Sequence, residues 1–368
     1  MTKAAELAKM GEVLTNSQIG GRRNLIINGD MTISQRLTSK TGITSSDFYT
    51  VDRFEVTIVS AGTYTMAQST TVPTGQGFSN SVKMDCTTAD ASLSGTDQIR
   101  LSTYLEGRDL QHLKYGTSSA ESLTLQFWVR SNKTGTYIVW FIQPDDDRQN
   151  AASYTINSAN TWEKKTITIS GDTTGVIDND SGRGLEISFI LGAGSDYTSG
   201  TAPSDWEARV NANRYAGQTV NLSDSTDNEW IMTGFQMEVG QQATPFEKRS
   251  YGDELLLCQR YYEKQGAGPD QTTANFNFKS MPVKMANNTT YIQGHQFAVA
   301  KRADPTIVVY SRNATSGKVS AFATGSDEGN NWATNAQGQT GFHAVVRDGG
   351  THTANVGFEY GFSADAEL

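Results

Sequence analysis

"SLTLQFWVRS", residues 122–131, is the stretch that decides how the chain is read. Leu123, Leu125, Phe127 and Val129 alternate with Thr124, Gln126, Trp128 and Arg130. Successive side chains of an extended strand point to opposite faces, so a period of two marks a strand with one face against a core. The same kind of run returns in "DRFEVTIVS" (52–60), "GTYTMAQST" (62–70), "TGTYIVWFIQ" (134–143), "TWEKKTITISG" (161–171), "GLEISFILGAG" (184–194) and "EWIMTGFQMEVG" (229–240). Short strands at even spacing between turn residues predict an all-β sandwich. Ala61-Gly62, between two of these runs, reads as the turn of a hairpin. The polar stretch 194–227 reads as an elaborated loop of the same domain.

Composition narrows the classes of function. A chain of 368 residues has room for roughly two domains with cores of their own. Its 35 glycines and only 7 prolines suit strands and turns. A net charge of -9 offers no basic footprint for phosphate, which argues against a nucleic-acid partner. No run of about 18 apolar residues and no signal-peptide core is present, so membrane insertion is not expected. Cys86 and Cys258 form neither a disulfide framework nor a metal-ligand spacing, which fits folding in a reducing cytoplasm.

Two segments follow a helical period instead. In "TKAAELAKMGEVL" (2–14), Ala4, Leu7, Met10 and Leu14 recur at three-to-four spacing. A helix that short is marginal alone, so it either docks on a partner or frays as a terminus. In "SYGDELLLCQRYYEKQ" (250–265), Asp253 and Glu254 open the helix and Arg260 and Lys264 close it, as the helix dipole favours. Its apolar residues, Leu255, Leu256 and Tyr262 among them, are too many for a solvated linker. After "GAGPD" the period returns to two in "TTYIQGHQFAVA", "PTIVVYS", "GFHAVVRD" and "VGFEYGFSADAEL". The expected organisation is an N-terminal attachment helix and linker (1–23), a β-sandwich (24–248), a linker helix (249–266) and a smaller C-terminal β domain (267–368).

At this point the segments resemble known families. "NLIINGDM" (24–31), "LQFWVRSNKTGTYIVWFI" (125–142), "NTWEKKTITI" (160–169) and "TGFQMEVGQQATPFEKR" (233–249) resemble jelly-roll carbohydrate-binding modules of the galactose-binding-like type. Joined to "CQRYYEK" (258–264) and the closing "ADAEL" (364–368), they more closely resemble phage tail fibre or receptor-binding proteins of marine and cyanobacterial viruses. "CQRYYEK" is the most specific element. The resemblance implies a jelly-roll sandwich with a distal C-terminal knob, a homotrimer joined through the 250–265 helix, and attachment to phage tail proteins through the N-terminus. It also implies a virion protein made in the host cytoplasm that meets a host-surface glycan or protein receptor. Leu25 to Ile27 would be the first sandwich strand, and Asn28-Gly29-Asp30 the turn after it. In related modules that turn helps to hold a structural calcium. One Asp and one Asn cannot supply the six to eight oxygens calcium takes, and ordinary turn chemistry explains the same residues.

Candidate sites compete with blander readings. The histidines, His112, His295, His343 and His352, have no ligand or triad spacing, and no HExxH, GxSxG or P-loop is present. The carboxylate runs "PDDDR" (Asp145 to Asp147) and "DNDSG" (Asp178 to Ser181) could supply glycosidase acids, yet both sit in turn contexts where Asp is expected. Aromatic residues say more, because sugars lie on flat apolar rings with polar groups fixing their hydroxyls. Trp128, Arg130, Trp140 and Tyr154 are placed on a glycan-binding groove of the sandwich, or else are buried between subunits or beneath the 194–227 loop. Trp162 and Trp230 read as core. In the C-terminal domain, Trp332 sits alone in the polar stretch 325–341, a receptor-binding loop or a disordered one. The expected function is a non-enzymatic tail fibre that recognises host glycans. The alternatives are a tail-associated polysaccharide depolymerase and a capsid decoration or spike protein.

Overall fold

The computed structural model describes residues 3, 23–266, 284–286, 289–321, 324–328, 332–348 and 357–368. The expected N-terminal helix therefore lies, but for one residue, outside the described residues, as does His352. The chain divides into two compact units. One includes Thr38–Arg249 and the segment leading up to Thr32, and the other includes Ile33–Leu37 and Ser250–Glu367.

The first unit is a jelly-roll β-sandwich. Its strands are β1 (Ser39–Ile43), β2 (Glu55–Val59), β3 (Thr63–Ser69), β4 (Ser81–Thr88), β5 (Gln98–Glu106), β6 (Leu123–Ser131), β7 (Gly135–Gln143), β8 (Arg148–Ile156), β9 (Glu163–Ile169), β10 (Arg183–Ala193), β11 (Glu207–Ala208) and β12 (Glu229–Val239). They form two six-stranded sheets, in the orders β1-β3-β4-β12-β6-β9 and β11-β8-β7-β10-β5-β2. Every pairing is antiparallel. Leu123, Leu125, Phe127 and Val129 are all fully buried, as their alternation requires. Phe127 meets Phe189 of the facing sheet edge-on at 5.0 Å and Tyr154 at 5.1 Å. Trp230 is core, whereas Trp162 is only half-buried.

Two local expectations are corrected. The 52–70 stretch is not a hairpin, because β2 pairs with β5 in one sheet and β3 with β4 in the other. The turn carries the chain across the sandwich. Gly62 is required there, with φ at +83° and a Cβ that would stand 2.4 Å from the Thr88 carbonyl oxygen.

Leu25 to Ile27 form no strand. That segment instead fills the irregularity in β12 between Thr233 and Gln236. Asn24 accepts from Met237 N at 3.0 Å, Leu25 N donates to Met237 O at 2.9 Å and Phe235 N to Gly29 O at 2.8 Å. A bulge leaves ladder groups unpaired, and this latch satisfies them. Gly29 approaches so closely that a Cβ would stand 2.0 Å from Phe235 O.

The second unit begins with α1 (Tyr251–Gln259). The Ser250 hydroxyl accepts Asp253 N at 3.2 Å, a side-chain cap on the first turn. The helix is shorter than its sequence period. Tyr262 lies on β13 (Tyr262–Gln265), which pairs with β22 (Gly361–Asp365). Burial of Tyr261 and Tyr262 and the strand ladder override the helical pattern. Arg36 stacks 3.6 Å over the Tyr262 ring and pairs with Asp365 at 2.9 Å.

β16 (Thr306–Tyr310) completes that sheet, in the order β13-β22-β16. A second sheet joins β14 (Lys284–Ala286), β15 (Thr289–Gln296), β20 (Gly341–Asp348) and β19 (Ala333–Gly338), and a third joins β18 (Asp327–Glu328), β17 (Val319–Ala321) and β21 (Phe358–Glu359). Ile292, Phe297, Phe342, Val345 and Phe362 belong to one core. Beside it the fully buried Lys301 ammonium pairs with Glu263 of the "CQRYYEK" segment at 2.7 Å. Burial pushes the Lys301 amine below its ordinary value, against the opposing pull of Glu263.

Candidate functional site

The alternation that fills the sandwich core turns another set of side chains outward from the second sheet. On β5 these are Gln98, Arg100, Ser102 and Tyr104. Register then fixes their neighbours, since directly opposed residues share a face. Ser102 stands opposite Glu55 on β2 and Ser188 on β10, and Ser188 stands opposite Trp140 on β7. Tyr104 stands opposite Glu186, and Arg100 opposite Ile190.

These groups are knitted together. Arg100 is ion-paired with Glu186 and donates to Ser188 Oγ at 2.9 Å. Ser188 Oγ lies 2.8 Å from Glu186 and 2.7 Å from Ser102 Oγ. Tyr104 donates its hydroxyl to Glu55. Burial raises the Glu55 carboxyl above its ordinary value, although the Tyr104 hydroxyl and the Arg183 and Arg100 guanidinium groups pull the other way.

At one end of this strip lies an aromatic group. The Trp140 indole donates to Gln149 Oε1 at 3.2 Å and meets Tyr215 edge-on at 5.7 Å. The guanidinium of Arg214 lies 4.2 Å over the Trp140 ring, 4.9 Å over Tyr197 and 5.0 Å over Tyr215. Tyr197, Arg214 and Tyr215 all come from the 194–227 stretch. That stretch folds over the outward face around a helical turn at Ser195–Thr198 and buries Trp140 with Ile138, Ile142 and Ile190. The face thus gathers guanidinium, carboxylate, hydroxyl and indole groups, with Ser102, Ser188, Glu186 and Trp140 buried and the Arg100 side chain 14 % exposed.

The residues singled out in the sequence do not share one groove. Trp128 and Arg130 are half-buried on the outward face of the first sheet. Arg130 pairs with Glu229 at 2.6 Å and donates to Asn160 O at 3.0 Å. Trp140 is on the outward face of the other sheet, beneath the 194–227 cover, as the blander reading had it. Tyr154 is corrected to a core residue. It stands opposite Tyr137, stacks on that ring at 5.4 Å and accepts from Trp230 Nε1 at 3.2 Å.

Trp332 is corrected as well. It is 3 % exposed, its N–H bonds Gly317 O at 3.0 Å, and its ring packs 5.7 Å from Phe358. The 325–341 stretch around it holds β18 and β19, so this indole serves the second unit's core and no exposed tip. On α1, Leu255 is half-buried and Leu256 is 45 % exposed. Tyr262 is buried on β13 and does not extend the helix face.

Sequence reasoning missed Arg100, Glu186 and Arg214. The available signal was a lone charge inside an otherwise apolar strand, as in "GLEISFILGAG". Buried charges need partners, so each such residue points to a companion elsewhere.

The two carboxylate runs come together in space. Asp145 accepts Asp178 N at 2.9 Å, Asp146 accepts Val176 N at 2.6 Å, Asp180 accepts Gly182 N at 2.7 Å and Asp147 pairs with Arg209 at 2.6 Å. Burial, with Asp178, Asp180 and Asp146 close by, raises the Asp145 carboxyl against the pull of the Asp178 N–H. In the Asn28-Gly29-Asp30 turn, Asp30 pairs with Lys248 at 3.0 Å and Asn28 donates to Asp52 O at 2.9 Å. Among the described residues no cluster of three or more acidic, histidine or cysteine side chains is arranged to hold a metal ion. No helix among them is long and apolar enough to cross a membrane.

The fold is that of an all-β sandwich with a second β unit. No family model matches the chain, and no curated protein matches it. Among solved structures, the chain is similar to the enzymatically active domain of tailspike protein 4 of bacteriophage CBA120, with 11 % identity, a TM-score of 0.30, and coverage of 59 % of this chain and 21 % of that one. It is also similar to TmCBM61 in complex with beta-1,4-galactotriose, with 12 % identity, a TM-score of 0.27, and coverage of 59 % and 99 %. The family 11 carbohydrate-binding module of the cellulosomal cellulase Lic26A-Cel5E of Clostridium thermocellum gives 10 % identity, a TM-score of 0.27, and coverage of 61 % and 99 %. The chain thus spans about a fifth of the tailspike chain. Likenesses this loose carry nothing further.

Proposed function

We propose that this protein is a non-enzymatic structural component of a tailed phage virion, a tail fibre that recognises glycans of the host surface. In this reading it is a homotrimer, joined to other tail proteins through its N-terminal segment. The single observation that carries it is the outward face of the second sheet. There Arg100, Ser102, Glu186 and Ser188 form one largely buried hydrogen-bonded and ion-paired strip beside Trp140, and Glu55 is held alongside by the Tyr104 hydroxyl. Fixed donors and acceptors at the edge of an aromatic group suit sugar hydroxyls.

The depolymerase reading has one observation in its favour, the convergence of Asp145 with Asp178. Yet the Asp145 and Asp146 carboxylates accept main-chain N–H groups of the 176–178 turn, which ties them to loop closure. Incubating the full chain with host surface polysaccharides separates the two readings. Retention of polysaccharide without new reducing ends supports a binder. Steady release of reducing ends that disappears in Asp145→Asn overturns it.

A further inference from the structure

The polar strip has a surplus of cation at its aromatic end. Arg100 and Arg214 both approach the Trp140 ring, at 5.6 and 4.2 Å. Each guanidinium carries five N–H donors and stays charged at any physiological pH. Arg100 has Glu186. Arg214 has no carboxylate within ion-pair distance among the described residues, and its one hydrogen-bond acceptor there is the Tyr215 hydroxyl at 3.0 Å. That hydroxyl in turn donates to Gln98 Oε1 at 3.0 Å.

Among the described residues, the buried Nε–H groups of both arginines have no acceptor. Burial lowers the Arg214 guanidinium from its ordinary value, and the nearby Arg100 charge lowers it further while Glu186 partly offsets it. A buried donor without an acceptor is costly, and a buried cation without a counter-charge more so. Neither side chain is fully enclosed, with the Arg100 side chain 14 % exposed and Arg214 8 % exposed.

From this we infer that the Arg100–Arg214 pair is a subsite for an anionic sugar, a residue carrying a carboxylate or a sulfate. The inference rests on the glycan-binding reading and names the class of glycan. Arg214 covers the Trp140 ring, so the sugar is not stacked on that indole; it is held by charge-assisted hydrogen bonds to the guanidinium edges. Glu186 keeps Arg100 oriented, and the fully buried Ser188 hydroxyl supports that pair from beneath. A neutral glycan would leave the Arg214 charge unmatched.

The test uses the full chain and immobilised oligosaccharides of equal length. These are oligogalacturonate and chondroitin sulfate as acidic probes, cellotetraose and galactotetraose as neutral ones, and inorganic sulfate as the free anion. The expected result is binding of at least one acidic probe at least tenfold tighter than any neutral one. That binding should weaken steeply between low and physiological salt and drop tenfold or more in Arg214→Gln. Thermal shift of the wild-type protein by the acidic probe gives a readout that does not depend on the variant's folding. Binding of neutral probes alone overturns the acidic subsite and leaves the glycan reading standing. Sulfate binding as tightly as the acidic glycans overturns the sugar part of the assignment. Binding of none of the glycans overturns both.

Discussion

The carboxylate of Glu247 accepts the main-chain N–H of Asn24 at 2.8 Å, across 223 residues of chain. The two segments that begin and end the sandwich therefore hold one another. Arg249 adds a bond to Ile26 O at 3.1 Å, and Glu247 N donates to Gln236 Oε1 at 2.6 Å. The latch closes the bulge of β12 from both termini of the unit. Removing Glu247 leaves buried N–H groups unpaired, which typically costs about 1–3 kcal/mol. Glu247→Ala should lower the melting temperature of the sandwich, measured by calorimetry, while the second unit's transition stays in place.

Trp140 and Trp332 are structural in different units. Each is nearly fully buried, and truncating a buried aromatic costs about 3–5 kcal/mol. Trp140→Ala is expected to shift one calorimetric transition and Trp332→Ala the other. Host adsorption lost in Trp332→Ala with both transitions unmoved would contradict the core placement of that indole.

The Glu163 carboxylate accepts Asn157 N at 2.8 Å, Ser158 N at 2.9 Å and the Lys165 ammonium at 2.5 Å. Burial works against its ionisation, but Lys165 and the two N–H groups outweigh it and bring it down to about 2. A carboxyl whose folded pKa lies below its unfolded one stabilises the fold fully above the unfolded value. That stability is lost as pH falls through the folded value. Here the window runs from 4.5 down to about 2. Acid titration of stability should be steeper in this window for the wild type than for Glu163→Gln; parallel curves would contradict the sign.

Leu256 and Tyr251 on α1 are 45 % and 65 % exposed. If the homotrimer forms through this helix, Leu256→Asp places a charge in the contact, and light scattering should report monomer where the wild type gives trimer. An unchanged mass would move the contact elsewhere on the chain.

Legibility in the sequence followed the length and regularity of each pattern. The period of two in 122–131 predicted which face of β6 is core, because nothing long-range competes with it. Tyr154 was misplaced because its face is set by pairing with Tyr137, and register is not readable from one strand. The helix over 250–265 was overextended because Tyr262 belongs to a ladder with a strand roughly a hundred residues later. The outward strip was invisible for the same reason. Arg100 and Glu186 are 86 residues apart in sequence and Arg214 meets Trp140 from a different segment again, and only the sandwich brings them to one face.

The central claim, that the outward face of the second sheet binds glycan, is tested most directly by hydrogen exchange. The full chain is compared with and without the tightest-binding oligosaccharide of a host-surface glycan panel. The account predicts slowed exchange confined to Gln98–Glu106, Arg183–Ala193 and the 194–220 cover. Protection around Trp128 on the opposite sheet, or in the second unit alone, would contradict it.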